Sequence, residues 1–205
     1  QRLGVEPDGL TLKDGHAIAN NRQVPFTEIL DGKSLAKLGT IKPGETSQNY
    51  NQASYGAHFC EVAVNAVTGE TRVRRLLTVA AAGRILNEKT ATSQCYGGQI
   101  WGIGSALTEE LVTDERTGLL VNHDLAEYHV PVNADVPQLD VVLLPERDPH
   151  ASPLAGKGIG ELALAGVGAA VTNAIYNACG ARVRDYPMTL DKVLAGMSPE
   201  IDAAA

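Results

Sequence analysis

Chemistry in this chain concentrates in one short run, Gly156-Lys157-Gly158-Ile159-Gly160-Glu161, which leads into the apolar Leu162-Ala163-Leu164-Ala165. Alternating glycines let a backbone turn tightly and bare its amides, which suits an anionic group at a helix start. The same pattern also serves as a close packing connection between elements. It is neither a P-loop nor the G-x-G-x-x-G dinucleotide fingerprint, so a nucleotide motif is excluded. Glu161 carries two readings. It is a solvated first-turn glutamate favoured by the helix dipole, or a buried carboxylate whose pKa is raised by desolvation, able to take a proton near neutral pH.

A second candidate is Ser93-Gln94-Cys95-Tyr96-Gly97-Gly98-Gln99. Here two carboxamides, Gln94 and Gln99, stand beside glycines that let a ligand approach. The alternative is a polar helix face near a helix crossing. His123 and His129 lie near Asp124 and Glu127 at no common zinc spacing and read as surface residues, and Glu109-Glu110 reads as a solvated helix end. His58 and His150 have no partner that spacing identifies. No Ser/His/Asp arrangement is visible, which leaves hydrolysis unsupported.

Cys60, Cys95 and Cys179 are far apart, with no C-x-x-C pair. That spacing suits neither zinc, nor an iron–sulfur cluster, nor an even disulfide set, and it suggests a reducing compartment. The net charge is −7, basic residues are scattered, and only nine of the 205 residues are aromatic, so nucleic acid is not an expected partner. No apolar stretch is expected to reach the ~18 residues of a membrane span, and no signal peptide opens the chain. The absent initiating Met suggests a fragment or a processed chain.

Several elements must position these residues. Residues 1–55 form an irregular N-terminal segment, with a hairpin at Leu12-Lys13-Asp14-Gly15-His16, a short helix at 25–30 capped by Thr27, and a long loop over 39–54. Strict alternation over 58–67 and 72–80, joined at Thr68-Gly69, predicts a β-hairpin with Cys60, Val62 and Val64 on one face. Helical spacing of Ile100, Ile103, Leu107 and Leu111 predicts a helix over 87–111. It contains Gly97, Gly98, Gly102 and Gly104, each costing roughly 1 kcal/mol relative to Ala unless close packing compensates. A turn at Thr117-Gly118, a strand over 139–144, a small-residue helix over 162–179 stopped by Gly180, a strand over 182–186 and a Thr189-capped helix over 190–195 complete the pattern. Residues 199–205 read as a frayed tail. The fold class is α+β: mixed strands and hairpins packed with glycine-rich helices.

In order along the chain, Gly56-Ala57-His58-Phe59-Cys60-Glu61-Val62, Asn65-Ala66-Val67-Thr68-Gly69-Glu70, Gly83-Arg84-Ile85-Leu86-Asn87, Gln94-x-x-Gly97-Gly98, Gly102-Ile103-Gly104, residues 156–161 and Arg182-Val183-Arg184-Asp185-Tyr186-Pro187 match a known pattern. Together they resemble the C-terminal part of the molybdopterin-binding subunit of the xanthine dehydrogenase and aldehyde oxidoreductase family. The resemblance implies that 56–198 is the C-terminal portion of a molybdopterin-binding domain whose upstream region is missing. It implies hydroxylation of an aldehyde or an N-heterocycle such as xanthine with oxygen from water, Glu161 deprotonating a molybdenum-bound hydroxide. Gln94 would hydrogen-bond the pterin beside Gly97 and Gly98, while Lys157, Gly158 and Gly160 would line the approach to the metal. The cofactor implied is molybdenum-molybdopterin in its cytosine dinucleotide form, with FAD and iron–sulfur clusters on partner subunits, in the cytoplasm or else the periplasm. Leu162-Ala163 replaces the two prolines that often follow the glutamate, and Ala81 stands where an aspartate is frequent. Both departures point to the aldehyde-oxidising branch. The other reading is a non-catalytic fragment or degenerate paralogue serving in assembly or interaction.

Overall fold

A computed structural model describes residues 3–6, 9–40 and 46–197. The chain divides into two compact units, Gln1–Pro43 and Gly44–Ala205. The expected tail and part of the 39–54 loop lie outside the described residues.

In the first unit β1 (Thr11–Lys13), β2 (His16–Ala19) and β3 (Arg22–Pro25) form an antiparallel meander. Asp14 and Gly15 take positive φ (48° and 75°) at the predicted hairpin, the conformation that a tight two-residue turn requires. α1 (Phe26–Leu30) follows, but its N-cap is Pro25 and Thr27 lies inside it. No side chain caps it; the Gly15 carbonyl accepts from Phe26 N at 2.9 Å, so a backbone group serves the first helical amide.

The second unit begins with a short helix, α2 (Thr46–Asn49), where a loop was expected. Its sheet runs in the order β4 (Tyr55–Val64), β5 (Thr71–Ala81) and β6 (Gln138–Leu143), antiparallel and then parallel. Cys60, Val62 and Val64 pack towards the core as the alternation predicts. A register shift at Glu61/Val62 leaves Arg74 without a partner in the ladder. Such a bulge resets the side-chain alternation, so Arg74 and Arg75 both reach solvent while Val73 and Leu76 are buried.

Two long helices complete the layer. α3 (Glu88–Leu107) starts where Asn87 Oδ1 accepts from Thr90 N at 3.1 Å. It stops four residues earlier than expected because the Gly104 carbonyl takes both Thr108 N and Glu109 N, and Leu111 is left exposed. The predicted helix over 162–179 is two helices, α4 (Leu162–Ala165) and α5 (Val167–Cys179), broken at Gly166. A Cβ at Gly166 would lie 2.2 Å from His58 Cδ2, so only glycine fits where the break meets β4.

Leu162–Cys179 is long and apolar enough to cross a membrane by length and composition, contrary to the expectation from sequence. Here its break and the burial of Val167, Val171, Ile175 and Cys179 make α5 the inner helix of a packed core. Each such side chain contributes roughly 1.5–3 kcal/mol when fully buried. Gly180, at φ 74°, closes α5 as predicted.

No strand forms over 182–186. Ala181, Val183 and Met188 are buried by packing on the core, and Met188 N donates to Ala106 O at 2.7 Å. That packing produced the strand-like alternation without a ladder. α6 (Leu190–Ala195) starts at Thr189, although the hydroxyl makes no capping bond.

Candidate functional site

The glycine run behaves differently at its two ends. At 155–157 the backbone is tied to the end of β5: Arg84 N donates to Ala155 O at 2.7 Å, Lys157 N to Ala82 O at 2.8 Å, and Gly83 bridges Gly156. Gly83 has φ 66°, and a Cβ there would lie 2.6 Å from Ala155 O, so this half is a close packing connection. Beyond it, a Cβ at Gly158 or Gly160 would meet nothing within 4 Å. That half faces open space.

Lys157 lines the hollow beside Arg84, Gln94 and Gly160, about 590 Å³ in volume. Its ammonium is committed elsewhere. Nζ donates to Glu146 Oε1 at 2.5 Å, with the lysine side chain only 7 % exposed, and lies 5.5 Å from the Tyr55 ring centre.

Glu161 stands at the N-cap position of α4, where its carbonyl accepts from Leu164 N and Ala165 N. Its side chain is exposed within this chain, which corresponds to the solvated alternative. The residue borders a hollow of about 350 Å³ together with Gln94, Gly97, Gly98, Trp101 and Gly160. Gln94 Nε2 donates to Gly160 O at 2.7 Å, tying α3 to the glycine run 66 residues away in sequence. Gln94, Gly97, Gly98, Gly160 and Glu161 therefore meet at one place. Lys157 borders the neighbouring hollow, and Gly158 borders neither.

Trp101 was not singled out from the sequence. The signal was present, since 94, 97, 98 and 101 follow the i, i+3, i+4, i+7 pattern of one helix face.

The α3 glycines also divide. Cβ atoms at Gly98 and Gly102 would lie 3.1 Å from Ala163 Cβ and 2.5 Å from Val167 Cβ. Those two let α3 cross α4 and α5, which compensates their helix cost. At Gly97 there is nothing within 4 Å. The hollow is thus bordered by glycines that leave room and by carboxamide and carboxylate groups that could hold a polar ligand, a combination that fits a bulky cofactor.

Gln99 is structural. It is fully buried, with Nε2 donating to Thr78 Oγ1 at 2.9 Å and Asp140 O at 3.0 Å. His58, which had no partner from spacing, has Nδ1 3.0 Å from Thr78 Oγ1, and burial lowers its pKa against an opposing bond to the Leu162 backbone. His150 stacks on Tyr50 with centroids 4.1 Å apart. His123 bonds the Val121 carbonyl, and Glu109 accepts from the Tyr128 hydroxyl at 3.0 Å, which makes it more than a solvated helix end. Among the described residues no cluster of three His, Cys, Asp or Glu side chains could hold a metal ion. All three cysteines are free.

Residues 1–137 match a family model described as a molybdopterin cofactor-binding domain. Among curated relatives, the aldehyde oxidoreductase molybdenum-binding subunit PaoC of Escherichia coli (strain K12) is 50 % identical over 94 % of this chain and 26 % of its own length. The xanthine dehydrogenase molybdenum-binding subunit of Escherichia coli O157:H7 is 31 % identical over 88 % of this chain and 25 % of its own. The aldehyde oxidoreductase from Desulfovibrio desulfuricans ATCC 27774 superposes with TM-score 0.64 at 35 % identity, covering 71 % of this chain and 16 % of that one. The chain thus spans about a quarter of the curated relatives' length. By the family match and these identities, it belongs to the molybdopterin cofactor-binding domain family, within the molybdenum-binding subunits of aldehyde oxidoreductases and xanthine dehydrogenases.

Proposed function

We propose that this chain supplies the base, Glu161, and part of the cofactor cradle to a molybdenum hydroxylase whose site is completed by the rest of the subunit. The observation that carries this reading is the meeting of Glu161, Gln94 and Gly160 at one hollow bordered by bare glycine faces. When bound, the molybdenum cofactor supplies a two-electron oxidation with oxygen from water. Glu161 would take a proton from the attacking oxygen, a role open to an exposed carboxylate once the cofactor and the rest of a subunit enclose it. Gln94 spends one N–H on Gly160, which leaves its carbonyl oxygen and second N–H for the pterin. Gly97 and Gly160 keep that approach free of side chains, while Gly98 lets α4 close against α3 beside it. Lys157 acts through its ion pair with Glu146, holding the glycine run in place.

An aldehyde is favoured as substrate over an N-heterocycle such as xanthine. The higher identity to the aldehyde oxidoreductase subunit supports this, as does Leu162-Ala163 after the glutamate. The cofactor is taken to be the cytosine dinucleotide form, with electrons leaving through iron–sulfur and FAD subunits in the cytoplasm.

The test is Glu161→Gln in the complete complex. Turnover is expected to fall by about 10²–10⁴-fold, the usual range for loss of a general base, with molybdenum content unchanged. Retained turnover would sink the assignment. The exposure of Glu161 within this chain favours one other reading, an assembly or interaction module. Absence of molybdenum from the chain, both alone and assembled with folded partners, would select it.

A further inference from the structure

We propose that Trp101, with Leu164 beside it, determines which aldehydes the hollow at Glu161 accepts, by giving the ring of a neutral, ring-bearing aldehyde an apolar face to lie on. This rests on the reading of Glu161 as the base. Helix α3 runs in register with the segment that ends the glycine run. Gln94 Nε2 donates to Gly160 O at 2.7 Å, a Cβ at Gly98 would lie 3.1 Å from Leu164 N, and one at Gly102 would lie 2.5 Å from Val167 Cβ. Trp101 falls between the last two of these contacts, one turn beyond Gly98 on the face that carries Gln94.

The register gives the hollow two unlike ends. Ser93, Gln94 and Gly160 border it at one, and Trp101 and Leu164 at the other. Gln94 and Trp101 are two turns of α3 apart, about 10 Å of helix rise. Glu161 follows Gly160 directly and precedes Leu164 by one turn, so it stands between the polar end and the apolar one. With Gln94 holding the cofactor at the polar end, the apolar end is left for the group that the substrate carries.

The chemistry of that end names the group. Trp101 is 51 % exposed, and its indole makes no hydrogen bond, ion pair or ring contact among the described residues. An indole left bare at a hollow is a surface on which another ring stacks, offset or edge-on. Leu164 adds aliphatic surface beside it. Among the described residues Glu161 is the only charged side chain that borders the hollow. A substrate with a carboxylate of its own would therefore meet one like charge and no cation. At about 350 Å³ the hollow lies at the small end of small-molecule sites, which suits a single ring with its aldehyde.

The test uses the complete subunit in its assembled complex, with benzaldehyde and acetaldehyde as probes. In Trp101→Ala the ratio of kcat/KM for benzaldehyde to that for acetaldehyde is expected to fall about tenfold, the scale of one aromatic pair. The loss should lie in KM more than in kcat, because a surface away from the reacting carbon holds ground state and transition state alike. Trp101→Phe keeps a ring face and should return the ratio towards the parent value. Leu164→Ala should lower the ratio by a smaller factor, and serves if Trp101→Ala does not assemble. An unchanged ratio in both alanine variants, a Phe variant as damaged as Ala, or loss of molybdenum with the indole would overturn the inference. Glu161→Gln separates the two readings. Full turnover there sinks the base assignment. Calorimetric binding of benzaldehyde to the Glu161→Gln complex should still weaken about tenfold when Trp101→Ala is added. No weakening there sinks the role of Trp101 and leaves the base assignment standing.

Discussion

Two glycine-rich regions approach each other in this protein and use the same residue in opposite ways. Along the inner side of α3, Gly98 and Gly102 have no room for a side chain, because α4 and α5 occupy the place of the missing Cβ atoms. Around the hollow, Gly97 and Gly160 have empty space where a Cβ would go. The first set is explained by this chain alone. The second has no such neighbour among the described residues, and the cofactor proposed above would give it one. A glycine that costs helix stability and touches nothing is a stronger pointer to a ligand than one at a helix crossing.

The contrast can be broken or sharpened by substitution. After Glu161→Gln, the largest expected effect is on the packed side. Gly102→Val would drive two β-branched side chains together, since its Cβ falls 2.5 Å from Val167 Cβ. A loss of about 3 kcal/mol is expected, seen as a lower denaturant midpoint. An unchanged midpoint would mean that α3 and α5 are less tightly apposed than described. On the open side, Gly97→Ala should raise stability by about 0.5–1 kcal/mol, as alanine does in a helix interior. It should also lower the molybdenum content of the assembled complex. Stabilisation with full metal loading would remove Gly97 from the cradle.

The smallest effect concerns pH. Burial lowers the His58 pKa below its ordinary 6.5, so the unfolded chain takes up this proton first. Its contribution is present above pH ~6.5 and is lost as pH falls towards the folded value. Urea midpoints at pH 7.5 and 5.5 should differ more in the parent than in His58→Gln, and equal differences would count against a half-buried ring that stays neutral.

How far this was legible in sequence depends on the range of the interaction. The hairpin could be read because its period-two alternation is local and unbroken around Cys60, Val62 and Val64. The requirement for glycine at 166 could not, because the ring it meets belongs to His58, more than a hundred residues earlier. For the same reason His58 and Gln99 showed no partners until Thr78 stood between them. Trp101 was readable, since its spacing from Gln94 is helical, but its place at the hollow depended on the crossing of α3 with α4. For Glu161 the residue types supported two environments, and this chain presents the exposed one. Its placement beside Gln94 follows from a hydrogen bond spanning 66 residues, which neither segment announces.

The parallel pairing of β5 with β6 has a consequence in time. Leu76 and Leu139 are neighbours in the sheet, yet all of α3 and the loops after it lie between them in sequence. Pairing of such distant segments forms slowly, whereas an antiparallel hairpin like β4–β5 closes quickly. The glycine run follows β6 and is tied back to the residues just after β5, so it takes its place only once this long loop has closed. By this ordering the hollow is expected to form late in folding, after the sheet that supports it.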